Sequence, residues 1–354
     1  MAVFRACYAT RRDVMSAPDI QQVQDYVRHV DSALEAASED IDGLCKRRFW
    51  TALETVKYDW PNFQRAYPWR LWFDAAELAD VTTIAPTVTT GGESIPDNAI
   101  FWGNANYSPP YTYMELDRSQ SYSFGVGSTP QRDVVITALR GYWNRQRAAG
   151  TFAASANSSV ATITVSDSSV ADVGDVLQAG SEWLLVQDNA MAATGQTNVS
   201  GITQESAADV ILGVTTGSQI NAGEVLQIDS EQMLALSVTG NNVTVERGYG
   251  GTVLASHSAD SPVYALRTLA VERGAFGTTA ASHNNGDALT ASLVPGQVRE
   301  LAIAEALNYI FQKTSGYART LGEAGSAPVP GGSLPDLRAR VLQRYGRKSR
   351  QRVV

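Results

Sequence analysis

The hydrophobic pattern near the start of the chain predicts a long amphipathic helix. Apolar residues recur at alternating steps of three and four along the stripe Ile20, Val23, Val27, Val30, Leu34, Ala37, Ile41 and Leu44. This spacing places them on one helical face, while charged residues such as Glu35 and Glu39 fall on the other. The stripe fits one helix or two helices broken near Asp31. Before it, Thr10 and Asp13 have the spacing of a capping box.

After Trp50 the pattern changes to short runs of alternating apolar and polar residues. Proline-marked corners and the alternation of Trp69, Leu71 and Phe73 predict small antiparallel strands up to residue 143. Residues 144–295 are rich in Ser, Thr, Gly and Val and show almost no helical period, which predicts further strands joined by glycine turns.

The β-rich stretch contains internal repeats. "VGDVLQAGSEWLL" from Val173 aligns with "AGEVLQIDSEQML" from Ala222, and "VERGYGGTVLASH" from Val245 aligns with "VERGAFGTTAASH" from Val271. Self-similarity of this kind indicates reused supersecondary units. We therefore expect residues 144–295 to form an inserted domain of repeated β-modules.

A helical pattern returns at residues 296–320 and is followed by a Gly-, Pro- and Ala-rich linker at 321–335. The last segment, 336–354, is predicted to form a short amphipathic helix because the apolar residues Leu337, Val341, Leu342 and Tyr345 follow one another at steps of four, one and three. An apolar helical stripe is typical of a helix that docks in a groove, and the alternative is a solvated run of charge.

Charge is distributed unevenly along the 354 residues. The formal net charge is -8, yet residues 336–354 carry seven Arg or Lys and one Asp. An acidic body with a basic tail predicts that the tail contacts an anionic partner, whether protein or nucleic acid. The two cysteines, Cys7 and Cys45, match no metal or redox spacing and favour a reducing cytoplasm. Neither a signal-peptide core nor a membrane-length apolar run is present in the sequence.

The sequence contains none of the common nucleotide-binding, zinc-protease or hydrolase motifs, so we expect no enzyme activity, metal or cofactor. His257 and His283 end the two copies of an R-G-x-x-G-T-x-A-S-H pattern. A nucleophile–base pair of Ser256 with His257, or a shared metal, is conceivable. Adjacent strand residues point to opposite faces, however, so a structural histidine in a repeated turn is the preferred interpretation.

Six segments, taken in order, resemble the head-to-tail connector (adaptor) proteins of long-tailed bacteriophages. They are "YATRRDV", "ALEAASEDIDGLCKRRFW", "WRLWFDAAELADVTTI", "YTYMELDR", "PQRDVVITALRGYW" and "VRELAIAEALNYIFQKTSGY". The resemblance covers about residues 6–143 and 296–348. Residues 144–295 depart from it, because members of the family pass directly from the "RGYW"-like strand to the C-terminal helix.

The resemblance implies a ring, commonly of twelve subunits, that docks on the portal protein, extends the DNA channel and provides the platform for neck or tail-completion proteins. Genomic DNA would pass through without sequence-specific binding, favoured by an acidic lining. The location would be the virion neck between capsid and tail, after assembly in the bacterial cytoplasm, with no membrane contact.

Ring closure requires one flank of a subunit to fit the opposite flank of its neighbour. This would explain why an acidic helix ends in a cationic and aromatic block. The expected inter-subunit residues are Glu35, Glu39, Asp42, Lys46, Arg47 and Arg48. The expected portal-docking residues are Leu337, Arg338, Arg340, Val341, Arg344, Tyr345, Arg347 and Lys348.

The expected fold class is α+β: a helical adaptor core with a small antiparallel β-domain and a large inserted all-β domain. The expected segments are N-terminal core helices at 1–50, the small β-domain at 51–143, the insertion at 144–295, a core helix at 296–320, the linker at 321–335 and the docking tail at 336–354. The alternative function is a β-repeat module that binds a glycan or a host surface and is carried on a helical base.

Overall fold

The structure is a computed structural model, and it describes residues 5–17, 24–61, 67–74, 76–103, 106, 109–203, 210–314 and 334–347. In this part of the chain there are four α-helices: α1 (Arg11–Met15), α2 (Gln24–Cys45), α3 (Gly296–Thr314) and α4 (Leu334–Tyr345). The eighteen strands are β1 (Ala52–Tyr58), β2 (Arg70–Trp72), β3 (Leu78–Asp80), β4 (Thr87–Thr90), β5 (Glu93–Ile95), β6 (Ile100–Trp102), β7 (Tyr113–Leu116), β8 (Val134–Arg140), β9 (Gln146–Thr151), β10 (Thr162–Thr164), β11 (Val176–Ala179), β12 (Glu182–Thr197), β13 (Val210–Gly213), β14 (Val225–Ile228), β15 (Glu231–Thr239), β16 (Asn242–Arg247), β17 (Pro262–Glu272) and β18 (Ala288–Ser292).

The expected fold class, a helical core with a small β-domain, is wrong. The described residues are mostly β-structure, arranged in antiparallel sheets of ten, five and three strands. The error has a physical reason. Helix α2 has a strong period over many residues, whereas strands such as β2 and β6 are three residues long and show at most one full alternation.

Local signals in the N-terminal helices are confirmed. Thr10 accepts a hydrogen bond from the Asp13 backbone N–H, and the Asp13 carboxylate accepts one from the Thr10 N–H, which is the predicted capping box. Helix α2 is continuous, so the apolar stripe belongs to one helix and not to two broken at Asp31. Of its described stripe residues, Val30, Leu34, Ala37 and Ile41 are buried and Leu44 is half-buried.

The chain divides into two compact units. Unit 1 comprises Met1–Ile41, Gln146–Ala275 and Thr279–Gln343. It contains the ten-stranded sheet, in the order β13-β16-β15-β14-β17-β12-β11-β18-β9, with β10 paired to β17. One core of this unit is formed by residues such as Leu212, Leu226, Met233, Val243 and Ala265, all fully buried.

Unit 2 comprises Asp42–Arg145, Phe276–Thr278 and Arg344–Val354. Its five-stranded sheet has the order β1-β8-β4-β5 with β3 also on β8, and its three-stranded sheet has the order β2-β7-β6. The two sheets share a core that includes Leu71, Phe73, Met114, Val134 and Ile136. Helices α2 and α4 each have residues in both units.

The repeats fold as two copies of one structural unit, and the second copy is inserted within the first. Copy 1 is made of residues 173–185 and 271–283, and copy 2 of residues 222–234 and 245–257. Each begins with a hairpin in the same register, Val176 opposite Leu185 and Val225 opposite Leu234. The second half of each copy supplies an Arg-Gly loop that closes on its hairpin, as described below.

Candidate functional site

The cationic and aromatic block that ends α2 forms the start of unit 2. Cys45 is the last helical residue, and Lys46 follows in the left-handed conformation with φ 54°. A left-handed residue just after a helix reverses the chain direction. The Cys45 carbonyl accepts a hydrogen bond of 2.9 Å from the Arg347 backbone N–H, so the end of α2 is capped by the segment after α4.

Arg47 is paired with a buried acid of its own chain. Its Nη2 lies 3.3 Å from Oε1 of Glu77, a residue that is 4% exposed. The Nε of Arg347 lies 3.8 Å from the same oxygen. The Arg47 guanidinium also lies 5.2 Å from the centroid of the Tyr142 ring. Arg47 therefore balances a buried carboxylate, which is costly to leave without a partner.

Arg48 is held by three groups of unit 2. It donates to Glu54 Oε1 at 2.6 Å and to the Arg140 carbonyl at 3.3 Å, and it stacks 4.4 Å above the Trp50 ring. Arg140 itself is buried and donates to the carbonyls of Ala76 and Ile136. Burial lowers the pKa of Arg140. A cleft of about 320 Å³ beside these side chains is lined mainly by charged residues, among them Asp42, Lys46, Arg47, Arg48 and Glu77.

Three aromatic rings from distant parts of the sequence meet next to Arg47. The fully buried Phe49 lies 5.2 Å from Tyr142 and 5.9 Å from Tyr345, and these two tyrosines lie 5.8 Å apart. Such tilted and edge-on arrangements are favourable for aromatic rings. Burial raises the pKa of Tyr142. The cluster joins the segment after α2, the segment after β8 and the end of α4.

The acidic residues predicted to face a neighbouring subunit differ in exposure. The Glu39 side chain is 77% exposed, with a carboxylate oxygen 3.7 Å from Arg5. Glu35 and Asp42 are half-buried. Lys46 is exposed, unlike Arg47 and Arg48. The structure thus places Glu39 and Lys46 at the surface, while Arg47 and Arg48 are held by partners within the chain.

Helix α4 turns three of the four residues of its predicted apolar stripe toward its own chain. Val341 is fully buried, Leu337 is half-buried and Tyr345 lies in the aromatic cluster, whereas Leu342 is 45% exposed. Arg338 donates to both carboxylate oxygens of the buried Glu305, to Oε2 at 2.7 Å. Of the other predicted docking residues, Arg340 and Arg344 are exposed, Arg347 is half-buried, and Lys348 lies outside the described residues.

The two copies of the β-unit each contain a buried Glu–Arg–His cluster. In copy 1, Glu182 accepts from Arg273 Nε at 2.7 Å and from the N–H groups of Gly274 and Ala281, and its Oε2 lies 2.7 Å from His283 Nε2. These contacts fix the Arg-Gly loop on the hairpin.

In copy 2 the equivalent contacts are made by Glu231. It accepts from Arg247 Nε at 2.5 Å and from the N–H groups of Gly248 and Ala255, and its Oε2 lies 2.9 Å from His257 Nε2. Burial raises the pKa values of Glu182 and Glu231, but the donated hydrogen bonds outweigh it and lower both to about 2. Both acids are therefore ionised and satisfied, and the clusters stabilise the loops.

The structure brings some predicted residues together and separates others. Ser256 is not among the hydrogen-bond partners found for His257, whose ring nitrogens face carboxylates. Within the described residues, no group of His, Cys, Asp and Glu is arranged to hold a metal ion. In the same part of the chain, no helix has the length and hydropathy needed to cross a membrane.

Sequence reasoning missed the acids that hold the predicted cations. Glu77, Glu54 and Glu305 lie 30, 6 and 33 residues from their arginine partners. No local pattern marks them. The repeats do contain a signal for Glu182 and Glu231, because these two glutamates occupy matching positions in the two copies, and so do their partners Arg273 and Arg247.

Comparison with known proteins returned no match. Neither a family model, nor a curated protein, nor a solved structure is similar to this chain at a significant level.

Proposed function

We propose that the protein is a structural virion component: a ring-forming head-to-tail connector that docks on the portal, extends the DNA channel and provides the platform for the tail. The observation that carries the proposal is the aromatic cluster of Phe49, Tyr142 and Tyr345. It unites "CKRRFW", "LRGYW" and the basic tail, three segments of the region that resembles the connector family. The resemblance therefore concerns residues that fold into one site.

Among the residues predicted to contact a neighbouring subunit, those with exposed side chains are the best candidates. Arg47 and Arg48 have partners within the chain, and breaking such pairs is costly. Lys46 and Glu39 are exposed and of opposite charge. In a ring, Lys46 of one subunit would face Glu39 of the next, a head-to-tail contact that closes by rotation.

Exposure also selects among the residues predicted to bind the portal. The outward side of α4 presents Arg340 and Arg344, together with Leu342, which is 45% exposed. A basic surface of this kind fits an acidic face on the portal. Val341 and Tyr345 are buried within the chain and would instead hold α4 in place on the subunit itself.

Charge exchange tests the ring contact. Lys46→Glu and Glu39→Lys are each expected to reduce assembly in the presence of portal, whereas the double variant should restore it, because the exchanged charges attract again. Sedimentation velocity measures the ring directly. The matched control is Lys57→Glu, an exposed lysine on β1, which should assemble like the original protein. Equal assembly of all four variants would refute the Lys46–Glu39 contact.

A second candidate function is a β-repeat module that binds a glycan or host surface. The observation in its favour is the size of the ten-stranded sheet, together with two exposed apolar side chains: Ile211 on β13, 62% exposed, and Val253 in the copy 2 loop, 82% exposed. Binding of the full chain to purified host cell-wall polysaccharide, lost on changing Ile211 and Val253 to Ser, would support this function. No binding would leave the connector proposal as the better account.

A further inference from the structure

The two Glu–Arg–His clusters differ at one position. Asp229 occupies the turn of the copy 2 hairpin, and the equivalent residue of copy 1 is Gly180. Both have left-handed backbone, with φ 53° and 57°. Asp229 places Oδ2 2.8 Å from Nδ1 of His257. His257 therefore lies between two carboxylates, since its Nε2 is 2.9 Å from Glu231.

This geometry limits the hydrogen bonds that each protonation state of the ring can make. A carboxylate can only accept hydrogen bonds, and a neutral imidazole has a single N–H. With one proton, the other ring nitrogen would direct a lone pair at a carboxylate oxygen from less than 3 Å. With two protons, both contacts become charge-assisted hydrogen bonds. The His257 and Glu231 side chains are fully buried, whereas that of Asp229 is 60% exposed, so water reaches Asp229 but not the ring.

The charges of the two clusters support the same conclusion. In copy 1, Arg273 balances Glu182, and His283 stacks on Phe152 with centroids 4.9 Å apart and planes 16° apart. In copy 2, Arg247 balances Glu231 in the same way, and Asp229 adds a further negative charge. The charged groups that contact His257 or its acceptors are Asp229 on the hairpin turn, Glu231 on β15 and Arg247 on β16. A second proton on His257 makes this set neutral.

His257 also connects two chain segments. Its backbone N–H donates to the Ile202 carbonyl at 2.8 Å, and the Ile202 N–H donates back at 2.8 Å. The ring thereby fixes the copy 2 loop to the hairpin on one side, while the backbone fixes it to the segment around Ile202 on the other.

We propose that His257 is a pH-sensitive clamp: an imidazolium that bridges Asp229 and Glu231 and holds the copy 2 loop on its hairpin. The clamp requires the second proton of the ring, because only an imidazolium can donate to both carboxylates. Copy 1 has no equivalent of the Asp229 carboxylate, so the same bridge does not form there.

Nitrogen-15 NMR of the imidazole rings tests the proposal in the full chain. The protein has three histidines, His29, His257 and His283, and single substitution of His29 and His283 assigns the signals. At pH about 7.5, both ring nitrogens of His257 are expected to show the shifts of protonated imidazolium. A neutral tautomer of His257 at that pH would overturn the proposal.

Asp229→Gly supplies the matched variant, because it copies Gly180 at a backbone angle that glycine favours. Asp229→Asn keeps the size of the side chain without the charge. Both variants should fold, and both should convert His257 to a neutral ring at pH about 7.5. Amide hydrogen exchange at Ile202 and His257 should accelerate with rising pH more steeply in the original protein than in the variants. Identical pH profiles would contradict a clamp.

Discussion

Gly277 shows how one residue can restrict a loop. Its φ is 85°, and a Cβ built there would lie 2.1 Å from the Leu53 carbonyl oxygen. The preceding residue, Phe276, is left-handed at φ 54° and places its ring 4.7 Å from Trp50. The residue of copy 2 that is equivalent to Phe276 is Gly250, which is also left-handed. Copy 1 thus accepts a left-handed aromatic residue, which is uncommon, and gains an aromatic contact.

We expect Gly277→Ala to destabilise the protein by about 1–3 kcal/mol more than Gly286→Ala. Gly286 also has a positive φ, 90°, but no atom lies within 4 Å of its built Cβ. Both substitutions incur backbone strain, so the difference isolates the clash with Leu53. Urea unfolding of the two variants gives this difference. Equal losses of stability would mean that the loop moves away from Leu53 without cost.

At the scale of elements, α4 is part of the folded chain. Tyr345 and Phe49 bury each other, and Arg338 pairs with the buried Glu305. A tail that docks only on a partner would not need these contacts. The helix therefore has a packed side and an outward basic side.

Tyr345→Ala is expected to destabilise unit 2 by about 3–4 kcal/mol, since it removes a buried aromatic ring and leaves a cavity beside Phe49. Thermal unfolding followed by tryptophan fluorescence measures this loss, because Trp143 contacts the same cluster through Tyr142. The control is Arg340→Ala, an exposed arginine on the outward side of α4, which should change stability little. A stable Tyr345→Ala protein would show that α4 does not contribute to the fold.

The elements also show which features the sequence could predict. The stripe of α2 and the capping box of α1 are local, so spacing alone was sufficient for Thr10, Leu34 and Ile41. The repeats could be recognised by aligning the sequence with itself. That copy 2 is inserted within copy 1 was not predicted, because the two halves of copy 1 are distant in sequence: Glu182 and Arg273 bind each other from 91 residues apart, with the whole of copy 2 between them.

The prediction of the fold class was wrong for a related reason. Helical periodicity accumulates over the 22 residues of α2, whereas strands of three residues, such as β2 and β6, give almost no periodic signal. The ten-stranded sheet depends on pairings between distant segments, for example β9 with β18. The sequence indicated the arginines of the candidate site. It did not indicate their partners Glu77 and Glu305, because nothing near these two residues in sequence marks a buried acid.

For the whole molecule, stability should depend on pH in two opposite ways. Burial raises the pKa of Asp175 to about 6, so this group favours folding more strongly as the pH falls from 7 toward 4. Glu182 and Glu231, with pKa lowered to about 2, contribute stability above about pH 4.5 and lose it as the pH falls toward 2. The loss should be roughly 2–3 kcal/mol for each carboxylate.

Urea midpoints between pH 7 and pH 2.5 should therefore rise slightly and then fall steeply. Asp175→Asn should remove the rise without changing the fall. Glu182→Gln and Glu231→Gln should lower stability at neutral pH and make the acid limb shallower. A midpoint that is constant down to pH 3 would contradict the assignment of Glu182 and Glu231 as ionised acids in buried clusters.

The connector proposal makes one claim about the whole molecule, that copies close head to tail around a channel. The most direct measurement is electron microscopy of the protein mixed with the portal of the same phage, viewed along the symmetry axis. The account predicts closed rings, commonly of twelve subunits, seated on the portal and wide enough at the centre for duplex DNA. Single unassociated chains beside bare portals, under conditions where the portal is intact, would contradict it.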